Sequence, residues 1–531
     1  MTSLTGTGSL VRFILRRDRA IMPAWIAAFA LIPMATASGF RSLYPTAEAM
    51  ARAAGDVGGN PAFRAMFGPI YGDNLGALVA WRMSIAIVVM GVVSVLTVIR
   101  HTRVEEETGR RELIGSTVVG RQAPLTASLV VIVGANVVVA VGIALGLIAM
   151  DLSPSGAFAF GLTVAAAGIV FAGVGALAAQ LTETSGGARA TGLSVVVLAY
   201  VLRAAGDAGG TSGPSWLSLV SPIGWVQRIR AFAGERWWII PVALGMAGTV
   251  GGVAVVLSAR RDVGAGVLPP RLGPAAASSR LATPLGLAWR LHRGLLIGWS
   301  VALGVLGAIY GSVAEGVGDL LVDSPDLREI FERLGGSAKI IDAYLGGVMG
   351  VMALIAAAYG IQATLRLRVE EENLRAESVL AAAVNRSRWM ASHLVFAFGG
   401  PALALVVAGL VTGLTYGAIA GDVAGQVPWV LAAALVHLPA VWVMAALGAA
   451  LFGLLPRLSA LSWAVYAAAA VVGILGVVLQ LSHWVVDASP FTHVPKLPGA
   501  SLTVIPLLWL LAIATGLATL GVTGFGRRDL D

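Results

Sequence analysis

Two glutamate triplets are the residues of this chain whose type and spacing could do chemistry. They are Glu105–Glu107 and Glu370–Glu372, each preceded by Arg-Val and about 265 residues apart. Clustered carboxylates can bind a metal ion, act as a general base, or pair with arginines. Which of these applies depends on the elements that carry the triplets.

The composition places the triplets in a very apolar chain. Of 531 residues, 57% are hydrophobic and 12% are charged, with a mean hydropathy of +0.85. The absence of cysteine excludes disulfides and cysteine-ligated zinc or iron–sulfur sites. Six histidines are scattered without an i, i+4 pair. The pI near 10.3 comes almost entirely from arginines beside apolar segments, which indicates orientation in a membrane rather than binding to nucleic acid.

Twelve apolar stretches are long enough to cross a bilayer of roughly 30 Å. They lie near 21–39, 79–99, 125–150, 156–180, 188–206, 236–258, 294–314, 346–365, 393–418, 427–454, 459–482 and 501–523. We therefore predict an all-α polytopic membrane protein with about 12 transmembrane helices.

The arginines also predict an orientation. With the N-terminus inside, the inner segments hold 24 basic and 13 acidic residues, and the outer segments hold 12 and 15. The inner side then carries +11 and the outer side −3, which sum to the net +8. This asymmetry favours cytoplasmic N- and C-termini in the cell membrane.

Matching segments recur in the same order in both halves. The first island (103–121) and the second island (368–386) begin an ungapped alignment of 28 positions with 11 identities. The other matches are "NPAFRAMF" (60–67) with "SPDLREIF" (324–331), "SPIGWV" (221–226) with "SPFTHV" (489–494), and "ARRD" (259–262) with "GRRD" (526–529). A tandem duplication explains them. We predict two parallel six-helix repeats, 1–258 and 284–531, joined by a cytoplasmic linker, 259–283.

Both islands face the cytoplasm in this topology. Each triplet is expected to extend a helix emerging from the membrane, with Arg110 pairing with Glu107 and Arg375 with Glu372. A short amphipathic segment follows, which suits docking to another protein. A solvated loop would explain one charge run, but the positive-inside rule does not explain two matching glutamate triplets.

These motifs resemble the cytoplasmic coupling region of ABC-type exporter permeases with six spans per unit. Two fused units most resemble actinobacterial antibiotic and multidrug exporter permeases of the tetronasin-resistance type. The resemblance implies docking of two copies of a separate ABC ATPase, which would carry the ATP and Mg; no cofactor is expected on this chain. The residues expected to couple to the ATPase are Glu105, Glu106, Glu107, Arg110, Arg111, Glu112, Glu370, Glu371, Glu372, Arg375 and Glu377. Asn373-Leu374 and Ala376 depart from the first copy, so the two sites are expected to bind unequally.

The energy source is expected to lie outside this chain. It contains no G-x-x-x-x-G-K-[ST] loop; "GGSAK" (335–339) lacks the spacing. The predicted spans contain no Asp or Glu, so proton antiport is disfavoured, and His437 is more simply explained by packing. We therefore do not expect an enzyme.

The resemblance also implies that spans 2, 5, 8 and 11 line a pathway between the two halves. They offer methionine and aromatic side chains, which suit apolar or amphipathic drug-like compounds. These candidates are Trp81, Met83, Met90, Tyr200, Met349, Met352, Tyr359, Trp463 and Tyr466. Packing against lipid or neighbouring helices is the alternative for each of them.

The sequence leaves three other functions open. A lipid or polysaccharide exporter would share the architecture. A membrane-embedded lipid-carrier glycosyltransferase would use the triplets as metal ligands or bases, although duplication suits two dockings better than one active site. A proton-coupled carrier would need intramembrane carboxylates.

Overall fold

The computed structural model describes residues 3–208, 215–268, 275–322, 337–382, 384–475, 482–499 and 501–529, and all regular structure in these ranges is helical. The chain forms two compact units, Met1–Gly273 and Pro274–Asp531. The boundary falls inside the predicted linker 259–283. The second copy of the "NPAFRAMF" motif, at 324–331, lies outside the described residues.

The first unit contains fourteen α-helices within the described ranges. They are α1 Thr7–Arg17, α2 Ile21–Leu43, α3 Ala47–Gly59, α4 Pro61–Phe67, α5 Leu75–Arg82, α6 Ile85–Arg100, α7 Arg103–Glu107, α8 Arg110–Gly115, α9 Ala123–Ile148, α10 Pro154–Leu181, α11 Ser185–Ala208, α12 Trp216–Val220, α13 Pro222–Gln227 and α14 Ile239–Arg260.

The described part of the second unit begins with a short 3₁₀ turn, Ser279–Ala282, and two further 3₁₀ turns lie at Pro456–Leu458 and Pro490–His493. Its α-helices are α15 Pro284–Val322, α16 Ser337–Glu372, α17 Arg375–Leu380, α18 Arg386–Ile419, α19 Val423–Leu435, α20 Leu438–Leu454, α21 Leu461–Leu475, α22 His483–Val486 and α23 Val504–Arg527.

Eleven helical segments of the described chain are long and apolar enough to cross a membrane, counting α6 with α7 and α19 with α20 as one segment each, and each coincides with a predicted span. The remaining prediction, 459–482, corresponds to a shorter apolar helix, Leu461–Gly473, and part of that segment lies outside the described residues. A polytopic membrane protein of about twelve spans is therefore confirmed.

Small residues let the helices of each unit approach closely. In the first unit α10 is the most buried span of the described chain, and an added Cβ at Gly161 would collide with the Ala140 carbonyl oxygen. In the second unit Gly453 and Gly521 bring α20 and α23 into backbone contact. In lipid the hydrophobic effect does not drive helices together. Close approach through Gly and Ala allows the van der Waals contacts that hold them instead.

The helix that leads into each island ends in a left-handed turn. In the second unit α16 runs unbroken from the membrane segment to Glu372, as predicted. In the first unit the helix is interrupted at His101-Thr102, between α6 and α7. The turn residue is Gly109 (φ 71°) in the first island and Leu374 (φ 58°) in the second.

This turn makes the predicted pairing of Arg110 with Glu107 wrong. The helix stops, and the new helix that starts at Arg110 brings its guanidinium 3.5 Å from Glu105. In the same way Arg375 lies 3.7 Å from Glu370 rather than beside Glu372.

The difference between the two turns predicts a difference in stability. A left-handed conformation costs a residue with a Cβ roughly 1–2 kcal/mol, and glycine avoids this cost. Gly109→Leu should therefore destabilise the first island, whereas Leu374→Gly should stabilise the second by up to about 1 kcal/mol. Amide hydrogen exchange of residues 103–121 and 368–386 measures both effects. Faster exchange of the second island in Leu374→Gly would contradict this assignment.

Candidate functional site

A buried carboxylate organises the first island. Glu106 Oε1 lies 2.8 Å from Arg261 Nη2, and Glu106 Oε2 lies 2.8 Å from Arg103 Nη1. Arg111 is a third ion-pair partner of the same carboxylate. The side chains of Glu106 and Arg103 are 1% and 0% exposed, so this cluster is part of the interior. Arg261 comes from the "ARRD" segment that follows the last span of the unit.

The arginines of this cluster are held in turn by backbone carbonyls. Arg103 donates to Ala179, Gly264 and Ala265, and Arg261 donates to the Gln180 side-chain oxygen at 2.8 Å and to Ala265. Burial lowers the pKa of Arg261 to about 10, which still leaves it charged at neutral pH. Each charge is therefore paired inside the unit, as burial requires.

The second island repeats the central ion pair. Glu371 forms an ion pair with Arg528: Arg528 Nη2 donates to Glu371 Oε2 at 2.8 Å, and Nη1 lies 2.8 Å from Oε1. Arg528 comes from "GRRD", the counterpart of "ARRD". Arg368, the counterpart of Arg103, approaches the same carboxylate at 3.6 Å. Ala376 stands where the first island has Arg111, so this carboxylate lacks that third arginine.

The arginine that closes each island also contacts the ion-paired arginine of the "RRD" segment, in both units. Arg121, which closes the first island, donates from Nη2 to the backbone oxygen of Arg261 at 2.6 Å. Arg386, which closes the second island, donates from Nη1 to the backbone oxygen of Arg528 at 2.5 Å. We call each set a clamp: Glu106, Arg261 and Arg121 in the first unit, and Glu371, Arg528 and Arg386 in the second. The clamp ties both ends of an island to the end of the last span of its unit.

The N-terminal arm adds contacts in the first unit. Arg17 pairs with Glu105 at 2.6 Å, and Asp18 pairs with His101 at 2.7 Å and with Arg100 at 3.0 Å. Ser3 and Thr5 accept backbone hydrogen bonds from Gln122 and Gly120 at the end of the island. In the second unit Glu370 is instead held by Arg366 of its own helix, at 2.8 Å.

These contacts divide the residues expected to couple to an ATPase. Four triplet glutamates are covered by their own unit: Glu105, Glu106, Glu370 and Glu371. The exposed members of the set are Glu107, Arg110, Glu112, Glu372, Arg375 and Glu377, with Arg111 half-buried beside Glu106. Leu113 and Leu374 are also exposed, by 73% and 59%. Sequence reasoning did not distinguish the two groups, and it missed that "RRD" is the partner of the triplet.

The residues proposed to line a substrate pathway are mostly interior to their own units. Met90, Met349, Met352 and Tyr359 have no exposed surface. The Tyr200 hydroxyl donates to the Met66 carbonyl and the Tyr466 hydroxyl to the Leu354 carbonyl. Met83 is half-buried, Trp463 is exposed, and Trp81 lines a cavity of the first unit.

Three buried histidines other than His101 contact the helix backbone or each other. His437 Nδ1 lies 2.9 Å from the Ala433 carbonyl oxygen, one turn earlier in the chain. His292 and His393 contact each other at 3.0 Å between ring nitrogens, a pair that sequence spacing did not indicate. Among the described residues, no group of three or more His, Asp or Glu side chains is placed to hold a metal ion.

Comparisons with known proteins extend over the whole chain. Residues 281–526 match the family described as the C-terminal domain of the multidrug efflux system permease Rv1217c. The full 531 residues are 43% identical to the multidrug efflux system permease protein Rv1217c of Mycobacterium tuberculosis (strain ATCC 25618 / H37Rv), and the alignment covers 96% of that protein. The alignment includes both islands.

The clamp of the second unit can be tested with a double-mutant cycle. Glu371→Gln or Arg528→Gln alone leaves a buried charge with too few partners, which typically costs about 3 kcal/mol or more. Combining them removes both charges, so the double variant should be less damaging than the sum of the singles. Hydrogen exchange of residues 368–386 in lipid nanodiscs measures the effect.

Glu372→Gln is the matched control, because Glu372 pairs with Arg368 at 2.8 Å but its side chain is 56% exposed. Such a pair contributes at most about 1 kcal/mol. Strict additivity of the Glu371 and Arg528 changes would show that the clamp is not an ion pair.

Proposed function

The chain belongs to the family of the multidrug efflux system permease Rv1217c, and from this membership we propose that it is the membrane-spanning permease of an ATP-driven ABC exporter. Two copies of a separate ATPase subunit would dock on the two islands and carry the ATP and Mg. The exported compounds would be apolar or amphipathic and drug-like. Membrane lipids surround the spans in the cell membrane, with both termini on the cytoplasmic side.

The observation that carries this proposal is the repetition of the clamp. Each unit presents one short helix, α8 or α17, at the same position relative to the clamp. Each helix exposes a mixed charged surface around Arg110 and Glu112, or Arg375 and Glu377. Two similar surfaces suit two copies of one partner, whereas a single active site has no use for a second copy.

The clamp also supplies a route for force. An ATPase that moves a docked island would pull on the last span directly, because Glu106 binds Arg261 and Glu371 binds Arg528 at 2.8 Å. In the second unit the span that leads into the island would move as well, because α16 is unbroken from that span to Glu372. Each six-span unit would then move as a rigid body, which is how packed helices transmit small displacements. Rocking of the two units would open and close the pathway.

A proton-driven mechanism finds less support in the described spans. Near the end of the first unit opposite the island, Asp207 lies in α11 one residue past the predicted span 188–206, and its carboxylate is 3.8 Å from the Arg203 guanidinium. Arg203 also donates to the carbonyl oxygens of Arg64 and Met66, at the end of α4. This guanidinium anchors the segment that precedes span 2, a structural role that explains its burial.

Charge reversal of the exposed residues tests docking without disturbing the clamps. The variant Glu107→Lys with Glu112→Lys changes the first island, and Glu372→Lys with Glu377→Lys changes the second. Purified from native membranes in mild detergent, the unchanged protein should bring two ATPase chains per permease. Each double variant should lose one of them, and the combined variant should lose both, because docking depends on complementary charge.

Glu183→Lys is the control, since Glu183 is exposed on the short connection between α10 and α11 but lies outside the islands. It should retain both ATPase chains. Retention of two chains by the combined variant, or no ATPase with any sample, would contradict the proposal.

A further inference from the structure

A cavity in the first unit lies at the end of the unit opposite the island. It is a partly open recess, and its empty space of about 430 Å³ includes open solvent. Four aromatic rings line it, from α4, the segment after it, α5 and α10: Phe67, Tyr71, Trp81 and Phe160. The Phe67 and Trp81 rings are 4.9 Å apart between centroids. Flat, polarisable walls of this kind suit an aromatic or apolar ring.

Two polar atoms on the wall have no partner. Ser84 is 4% exposed, and its hydroxyl makes no hydrogen bond. The side-chain oxygen of Gln227 is also buried and unpaired, while its amide nitrogen donates to the Phe67 carbonyl at 3.0 Å. Buried polar atoms are nearly always paired, and each unpaired one costs about 1–3 kcal/mol. A bound molecule with hydrogen-bond donors would complete both atoms.

The unpaired atoms of the cavity wall can accept hydrogen bonds from a ligand. The Gln227 oxygen can only accept, and the Thr163 hydroxyl already donates to the Ala159 carbonyl at 2.8 Å. No Asp or Glu lines the described cavity, whereas the guanidinium groups of Arg82 and Arg230 lie 4.8 and 4.9 Å from the Phe67 and Tyr71 ring centroids. A ligand with an O–H or N–H group and no positive charge fits these surroundings.

The frame of the cavity is preformed. Gly68 (φ 89°) turns the chain after α4, and a Cβ there would lie 2.8 Å from the Gln227 oxygen. The indole nitrogen of Trp81 donates to the Gly68 carbonyl at 3.0 Å. These contacts fix the positions of Trp81 and Gln227 before any ligand arrives.

We infer that this cavity is a binding site for an uncharged aromatic compound of one or two rings that carries a hydroxyl or N–H donor, or for such a ring of a larger molecule. The rings of the wall enclose the aromatic part, and the Ser84 hydroxyl and Gln227 oxygen receive the donor. The view that the ligand is a transported compound rests on the proposed export function. Binding itself requires only the permease.

The test uses β-naphthol and its methyl ether with the full chain in lipid nanodiscs, without ATPase. β-Naphthol fluorescence, excited beyond the tryptophan band, should change saturably relative to empty nanodiscs. The methyl ether cannot donate, so it should bind about tenfold more weakly, as expected for one lost hydrogen bond to a buried acceptor. Ser84→Ala and Gln227→Met should each reduce this preference.

Ala80→Leu, which fills the cavity, should abolish saturable binding, and Ala149→Leu on an exposed helix end is the control. Absence of saturable binding would overturn the site. Equal binding of naphthol and ether, or binding that survives Ala80→Leu, would also overturn it. The binding test uses no ATPase, so its failure says nothing about ATPase docking. Loss of docking in the charge-reversal variants likewise says nothing about binding in the cavity.

Discussion

The rest of the structure depends on one ion pair with a buried carboxylate in each unit: Glu106 with Arg261, and Glu371 with Arg528. A carboxylate removed from water is stable only when a cation and hydrogen bonds replace its hydration. The arginine therefore has to stand at the end of the last span, and the island has to fold back onto it. The triplet, the closing arginine and "RRD" recur together because they form a single contact.

The two clamps differ in strength, and the difference follows from few residues. Glu106 has three arginine partners, and the N-terminal arm covers the same island. Glu371 has Arg528 and a more distant Arg368, because Ala376 replaces the third arginine. The second island also places Leu374 in a left-handed turn that favours glycine. The first island is consequently held by more ion pairs than the second.

Much of the fold is predictable from the sequence, because the length of apolar stretches and the order of repeated motifs can be read without knowing any tertiary contact. Eleven of the twelve predicted spans follow from apolar length. Burial within a triplet does not: Glu106 and Glu107 are adjacent and identical in type, and only the position of Arg261, 155 residues later, makes one interior and the other exposed. The aromatic cavity was missed for the same reason, since Phe67, Phe160 and Gln227 come together only in the folded unit.

A disulfide across the second clamp tests most directly whether island and last span move together. An added Cβ at Gly526 would lie 3.8 Å from Ser387 Oγ, within the reach of a disulfide, and the chain has no other cysteine. Ser387→Cys with Gly526→Cys should cross-link within the chain on oxidation in membranes. Drug export should then proceed at the same rate before and after reduction. Failure to cross-link, or export that appears only after reduction, would show that the island separates from the span and would contradict this account.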